Sequence, residues 1–168
     1  MRVRSPLRWL AALAPLVALL AGGCATPVFK DAHALPATPA QIASEPERYH
    51  DADILWGGKI LDVRNLATTT EVQVIGYPID RAQRPDPRAE TTGRFIVVLP
   101  GYVEAFDYPA GRFVTMHGRI GGTRVGRLDE HDYVFPLVVD ARVHLWPVNF
   151  PYERGRVSLG IGLGVGIR

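Results

Sequence analysis

The residues best suited to covalent, metal or acid–base chemistry are a single cysteine and five histidines. One cysteine excludes an internal disulfide and a cysteine-based zinc cage. The histidines lack the H-E-x-x-H spacing of a helical metal site, and the glycines form no G-x-x-x-x-G-K-[ST] phosphate loop. Ser44 and Ser158 stand outside any nucleophile elbow. The sequence therefore predicts no catalytic constellation, no metal site and no cofactor.

Two histidines fall on the polar faces of predicted strands, together with charged residues. His117 lies on the fourth predicted strand, and Asp140, Arg142 and His144 alternate along the last one. These four residues form a possible binding surface. Ordinary alternation of a half-exposed sheet gives the same pattern and is the commoner cause. A hydrolase that pairs His117 or His144 with Asp140 is a third alternative.

The cysteine follows a segment typical of secretion. An arginine-rich start precedes the uncharged run Trp9–Ala21, and two glycines lead from that run into Cys24. Such a pattern predicts a signal peptide over residues 1–23. The run is shorter than the roughly 20 apolar residues that a membrane-spanning helix needs. A plain secretory peptide with a chance cysteine is the alternative to any special role for Cys24.

The segment Leu20–Cys24 resembles a bacterial lipoprotein box, in which small residues precede a lipidated cysteine. This resemblance implies that Cys24 becomes the acylated N-terminus and anchors the chain to a membrane. Ala25 stands where an aspartate tends to retain such proteins in the inner membrane, so the resemblance implies the outer membrane. Several acyl chains hold a protein stably at a bilayer.

Cleavage at this point changes the charge of the chain. The precursor has 19 basic and 17 acidic residues, for a formal net charge of +2. Loss of Arg2, Arg4 and Arg8 leaves 16 basic and 17 acidic residues, for a net charge of −1. A near-neutral chain lacks the strong positive charge that is typical of nucleic-acid-binding proteins.

The remaining sequence predicts three segments. Residues 24–45 read as a lipidated N-terminus and a flexible tether, with a short helix over 39–44 capped by Thr38. Residues 46–148 form the β domain. Its strands are expected over 54–66, 69–79, 94–99, 112–120 and 133–146, with an exposed loop over 80–93. Residues 149–168 form a glycine-rich tail.

The sequence also predicts where these strands bend and which of their residues face the core. The Gly57-Gly58 pair predicts a bulge or a sharp bend in the first strand. Val72 and Val74 alternate with polar neighbours, which predicts one buried and one exposed face. On the last strand, every second residue from Leu137 to Leu145 is expected to face the core.

The fold class follows from the number and length of these strands. Five or six short strands with one minor helix predict a mainly β fold, a small antiparallel OB-like β-barrel. A β-sandwich is the alternative. In the tail, apolar residues alternate with glycine from Val157 to Ile167. That alternation fits a membrane-type strand, an edge strand, or a strand added to a partner's sheet.

Several stretches together resemble the Slp family of outer-membrane lipoproteins. The most specific are the run W-G-G-K-I at Trp56–Ile60 and the pattern Y-x-x-G-R-x-V-T-x-x-G at Tyr108–Gly118. The others are Pro46–Tyr49, Glu71–Val74, Tyr77–Asp80, Gly93–Val97 and Leu145–Pro147. The resemblance implies a cell-envelope location and a link to starvation or stationary phase. It carries over no catalytic residue.

The sequence thus favours a non-enzymatic outer-membrane lipoprotein that faces the periplasm and serves envelope integrity or a stress response. Its membrane contact is the lipid on Cys24, and its other partner is an envelope protein or a glycan. The alternative function is an OB-like module that binds an oligosaccharide, a peptidoglycan fragment or a partner peptide.

Overall fold

The computed structural model describes residues 26–150. The predicted signal peptide, Cys24 and the alternating tail segment lie outside the described residues. The helix α1 spans Pro39–Ser44 and is followed by a 3₁₀ turn at Pro46–Tyr49. Five strands follow: β1 (Asp53–Asn65), β2 (Thr69–Tyr77), β3 (Gly93–Pro100), β4 (Phe113–Leu128) and β5 (His131–Leu145). Neither described helical segment is long and apolar enough to cross a membrane.

The five strands close into a barrel in the order β1-β2-β3-β5-β4. Neighbours pair antiparallel except β3 and β5, which run parallel and pair only at Ile96↔Leu137 and Val97↔Val138. The prediction of a small, mainly β barrel with a minor helix is confirmed, and the sandwich alternative is wrong. The single parallel contact is a feature that the sequence pattern did not reveal.

The core lies inside the barrel and consists mainly of Val, Ile and aromatic side chains. Trp56 is 6% exposed, and its ring centroid lies 4.9 Å from that of the fully buried Phe95. The β2 residues Val72 and Val74 and the β4 residue Met116 are also buried. Burial of such large aromatic side chains contributes about 1.5–3 kcal/mol each to folding.

The bulge predicted at Gly57-Gly58 is not there. Both glycines keep regular pairing with Tyr77 and Gly76, and the register of β1 shifts between Ile60 and Asp62 instead. The glycines are needed for close approach, because a Cβ on Gly57 would lie 2.4 Å from the Ile79 side chain.

The predicted face of β5 is wrong over half of the strand. Val138 is fully buried, whereas Leu137 and Val139 are only half-buried. An extra β5 residue is inserted where the β4 register shifts between His117 and Arg119. Asp140 lies in this bulge with φ at +51°. The inserted residue changes which side chains face the core. Ala141, Val143 and Leu145, which follow the bulge, pack against the core as predicted, whereas Leu137 and Val139, which precede it, lie on the other face.

The segment expected to be a flexible tether packs against the barrel. Thr38 caps α1 through a capping box with Gln41, and Ile42 is fully buried in the core. The indole Nε1 of Trp56 donates a hydrogen bond to the Ala37 carbonyl at 2.7 Å. The helix itself matches its predicted span. The apolar face of this short helix packs against the barrel core, which removes it from water.

The loop expected to be exposed also folds back on the barrel. Ala82 and Gln83 are 3% and 9% exposed, and the Thr115 hydroxyl donates to the Gln83 carbonyl at 2.6 Å. Other residues of the loop, among them Arg81 and Arg84, remain exposed. This loop therefore covers the outer face of β4 instead of extending into solvent.

Replacing Ile42 tests whether the N-terminal segment belongs to the folded unit. Ile42→Ala is expected to lower the free energy of unfolding by about 2–5 kcal/mol, because it leaves a cavity in a closed core. Leu35→Ala is the control, since Leu35 is 50% exposed in the same segment; its expected change is within about 0.5 kcal/mol. Urea unfolding of the full chain measures both. If Ile42→Ala also changed the free energy of unfolding by less than about 0.5 kcal/mol, the segment would be a tether.

Candidate functional site

The structure brings the predicted binding residues to the outer face of β4 and β5. His117 is paired with Arg142 across the two strands, and His144 is paired with Thr115. Asp140 lies beside them in the bulge. We call His117, Arg119, Asp140, Arg142 and His144 the histidine face. The sequence therefore placed these side chains on one surface, although the bulge was not foreseen.

Within the histidine face, the charged groups bind one another. A guanidinium nitrogen of Arg142 lies 3.1 Å from His117 Nδ1. Because arginine only donates, Nδ1 must be the acceptor and carries no proton in this contact. The Asp140 carboxylate accepts a hydrogen bond from Arg119, which also bonds to Asp51. Among the described residues, neither His117 nor His144 hydrogen-bonds to Asp140, so the geometry of a histidine–carboxylate pair is not formed.

His144 lies against the end of the chain that leaves the barrel. Its ring meets the Trp146 ring edge-on, with the centroids 4.6 Å apart. The Trp146 indole donates in turn to the Thr115 hydroxyl at 2.8 Å. Partial burial lowers the pKa of His144, because desolvation penalises the charged imidazolium. His144 is thus held as a neutral packing residue at neutral pH.

The N-terminal segment covers part of the histidine face. The Arg142 guanidinium lies 5.3 Å from the centre of the Phe29 ring, and that ring lies 6.2 Å from His117. The backbone of Phe29 is fixed by the Gln83 side chain, which accepts from its N–H at 2.7 Å and donates to its carbonyl at 3.0 Å. A partner could reach this face fully only by displacing Phe29.

A second surface is a cleft between the outer face of β1–β3 and the β4–β5 hairpin. Its volume is ≈190 Å³. Polar and charged residues from β1 and β2 form one wall, and the hairpin forms the other. We call it the arginine cleft; its lining is Asp62, Arg64, Glu71, Gln73, Ile96, Arg124, Gly126, Arg127 and Phe135.

An ion pair fixes the hairpin over this surface. Two guanidinium nitrogens of Arg124 bond to the two oxygens of Glu71, each at 2.6 Å. The Glu71 side chain is 6% exposed, and that of Arg124 is 44% exposed. The hydrogen bonds from Arg124 hold the pKa of Glu71 below its usual value, and nearby Arg64 adds to this effect. Glu71 therefore stays ionised and is unsuited to act as a general acid.

Sequence reasoning missed this cleft, although part of its pattern was visible. Asp62 and Arg64 face Gln73 and Glu71 across β1 and β2, so one polar stripe was recognisable. Arg124 and Arg127 fall in the segment 121–132, whose sequence indicates a turn with a possible short hairpin. The structure has that hairpin, formed by an extension of β4 and the start of β5. Only the folded hairpin brings them to the stripe, and it buries Glu71 on the face expected to be exposed.

Two further observations limit the chemistry of the site. Within residues 26–150, no group of three or more His, Cys, Asp or Glu side chains is arranged to hold a metal ion. The guanidinium groups in the cleft are hydrogen-bond donors only, so they recognise acceptors on a ligand.

Comparison with known proteins agrees with the lipoprotein features of the sequence. The family described as "Outer membrane lipoprotein Slp family" matches residues 21–160, which is most of the chain. The chain belongs to the Slp family. This membership assigns it to the outer-membrane lipoproteins, as the sequence resemblance predicted.

Three relatives match the chain at 28–29% sequence identity. The chain is 28% identical to an uncharacterized protein of Haemophilus influenzae, covering 67% of this chain and 62% of that one. It is 29% identical to the uncharacterized lipoprotein YeaY of Escherichia coli, over 75% and 66% of the two chains. It is 28% identical to the outer membrane protein Slp of Escherichia coli, over 62% and 55%. The chain thus matches less than two thirds of each relative's length.

The buried ion pair of this Slp-family domain gives a pH-dependent prediction. The folded state lowers the pKa of Glu71, so the resulting stability is present above the unfolded value of about 4.3 and is lost as pH falls towards the folded pKa. Glu71→Gln is expected to destabilise the domain by about 1.5–3 kcal/mol at pH 7, since it removes the charge-assisted hydrogen bonds to the half-exposed Arg124. Below about pH 4.3 this difference should shrink, and it should vanish below the folded pKa.

The measurement is urea unfolding of both chains between pH 7 and pH 3. Glu45→Gln is the control, because Glu45 forms an exposed ion pair with Arg48. A Glu71→Gln difference that stays constant over this pH range would contradict a depressed carboxyl pKa.

Proposed function

We propose that this chain is an outer-membrane lipoprotein anchored through acylated Cys24, whose β domain faces the periplasm. The proposed organisation is a signal peptide over 1–23, an anchor segment over 24–45, the barrel over 46–148 and a tail over 149–168. Family membership and the lipoprotein box support the anchor. A role in envelope integrity or the response to starvation is proposed from the family resemblance.

The docked N-terminal segment supports a short anchor. Phe29 is held on the barrel by Gln83, and it lies only five residues after Cys24 in the sequence. Five extended residues reach at most about 17 Å. The proposed lipid would therefore keep the barrel next to the bilayer, with the histidine face on the anchored side.

A non-enzymatic role is supported by how the acid–base residues are used. Asp140 is bonded to Arg119, His117 accepts from Arg142, and Glu71 is bonded to Arg124. Each of these groups is hydrogen-bonded to an arginine of the fold, although Nε2 of His117 is buried with no partner among the described residues. None of these pairs provides a base beside a nucleophile, which is the arrangement that acyl transfer or hydrolysis needs.

A second candidate function is a binding module, and the position of the arginine cleft favours it. The strand order and the parallel closure of β5 on β3 are those of an OB-type barrel. In that architecture, the β2–β3 face and the adjoining loops bind oligosaccharides or oligonucleotides. The arginine cleft lies on this face. The near-neutral charge of the processed chain favours a glycan over a nucleic acid.

The anchor is tested by replacing Cys24 in cells grown with labelled palmitate. Cys24→Ala is expected to abolish palmitate incorporation and to release the protein from the membrane fraction, because the acyl chains supply the membrane affinity. Ser44→Ala is the control and should retain both. Palmitate labelling that persists in Cys24→Ala would show that lipid is attached elsewhere or that the assignment is wrong.

The binding-module candidate is tested by sedimentation of the detergent-solubilised lipoprotein with purified peptidoglycan sacculi. The protein is expected to pellet with the sacculi, and added salt should weaken this association because arginine contacts are electrostatic. Cellulose particles are the control polymer, since they carry no charged groups. Equal recovery in both pellets, or in neither, would count against a peptidoglycan-binding module.

A further inference from the structure

We infer that the arginine cleft is a binding site for a carboxylate-bearing oligosaccharide, with Arg64 and Arg127 as the groups that contact the carboxylate. This inference rests on the binding-module candidate and specifies its site and ligand. The observations that carry it are the guanidinium groups, the apolar floor, the charge of the cleft and its accessibility.

The first observation concerns arginines that the fold does not use. Arg124 is bonded to Glu71 and serves to fix the hairpin. Arg64 on β1 and Arg127 on β4 line the same cleft and are exposed. Neither has an ion pair or a side-chain hydrogen bond with any of residues 26–150. A planar guanidinium donates two parallel hydrogen bonds to a carboxylate, which suits both arginines for an acidic ligand.

The second observation is an apolar floor between polar walls. Phe135 and Ile96 are 5% and 9% exposed at the base of the cleft. Gly126 leaves room for the Phe135 ring, because a Cβ on Gly126 would lie 3.1 Å from that ring. Gln73 and Asp62 offer amide and carboxylate groups to hydroxyls. Apolar lining with a few placed polar groups is typical of small-ligand sites, and sugars present both kinds of surface.

The third observation is the charge of the cleft. Arg64, Arg124 and Arg127 are opposed by Asp62 and Glu71, which leaves one net positive charge. A carboxylate, with one negative charge, matches this excess. A phosphate monoester carries about −1.5 to −2 at neutral pH and would exceed it. The volume of ≈190 Å³ suits one sugar ring, so the rest of the oligosaccharide would extend outside.

The fourth observation is that the cleft is open while the histidine face is partly covered. Phe29 and the loop that carries Gln83 lie over β4 and β5 near Thr115. The cleft uses a different part of the barrel, on β1–β3 and the hairpin. Docking of the N-terminal segment therefore leaves the cleft free to receive a ligand.

The test is calorimetric titration of the full lipidated chain in detergent micelles. The probes are the disaccharide of N-acetylglucosamine and N-acetylmuramic acid, which carries one carboxylate, and neutral chitobiose. The acidic disaccharide is expected to bind at least about tenfold more tightly, a difference that corresponds to 1.4 kcal/mol. Equal binding of both, or no binding of the acidic disaccharide, would overturn the proposal. So would tighter binding of inorganic phosphate.

Variants connect the binding to the cleft. Arg64→Ala/Arg127→Ala is expected to weaken binding at least tenfold, whereas Arg48→Ala/Arg81→Ala removes the same charge elsewhere on the surface and should not. Unfolding midpoints check that both chains fold, and Arg127→Ala alone is the fallback at the exposed hairpin. A double variant that binds the disaccharide like its control refutes the cleft. If that variant also still sediments with sacculi, the binding-module function stands and this site alone is wrong.

Discussion

Closure of the barrel depends on β5, which must pair antiparallel with β4 on one side and parallel with β3 on the other. β5 pairs with β4 along most of its length but with β3 at only two positions. Two register shifts in the β4–β5 ladder bend the hairpin enough to make this contact. Bulges increase the local twist of a strand, which is what a small barrel requires at its corners. Asp140 and Gly122, both with positive φ, lie at these shifts.

The same bend creates the arginine cleft. Beyond the barrel, the hairpin lies across the outer face of β2 and β3, where the Tyr133 hydroxyl accepts from the Arg94 N–H at 2.8 Å. The Glu71–Arg124 pair holds its other edge. A buried ion pair contributes little net stability compared with an apolar pair, but it defines one arrangement because a shifted hairpin would leave Glu71 buried and unpaired. The fold and the cleft therefore depend on the same contacts.

The sequence predicted elements whose signals are local and missed those set by long-range contacts. Thr38, Pro39 and Gln41 define the start of α1 within a few residues, so its span could be read directly. The alternation of Val72 and Val74 likewise identified the inner face of β2. The bulge at Asp140 and the burial of Glu71 could not be read, because each arises where distant segments meet. Cys24 and the histidines could be proposed from their residue types alone. The arginine cleft could not be predicted, because it exists only where the folded hairpin meets β1–β3.

The two sides of the barrel differ in how far the chain itself occupies them. Its β4–β5 side is occupied by the chain itself: Phe29 packs on Arg142, the Gln83 loop covers Thr115, and Trp146 closes the edge. On the side of the arginine cleft, Arg64 and Arg127 have no side-chain hydrogen bond with any of residues 26–150. Since the segment leading to Cys24 leaves from the covered side, an anchor there leaves the arginine cleft uncovered. In the proposed arrangement, the contacts of the histidine face serve for attachment, and the arginine cleft serves for recognition.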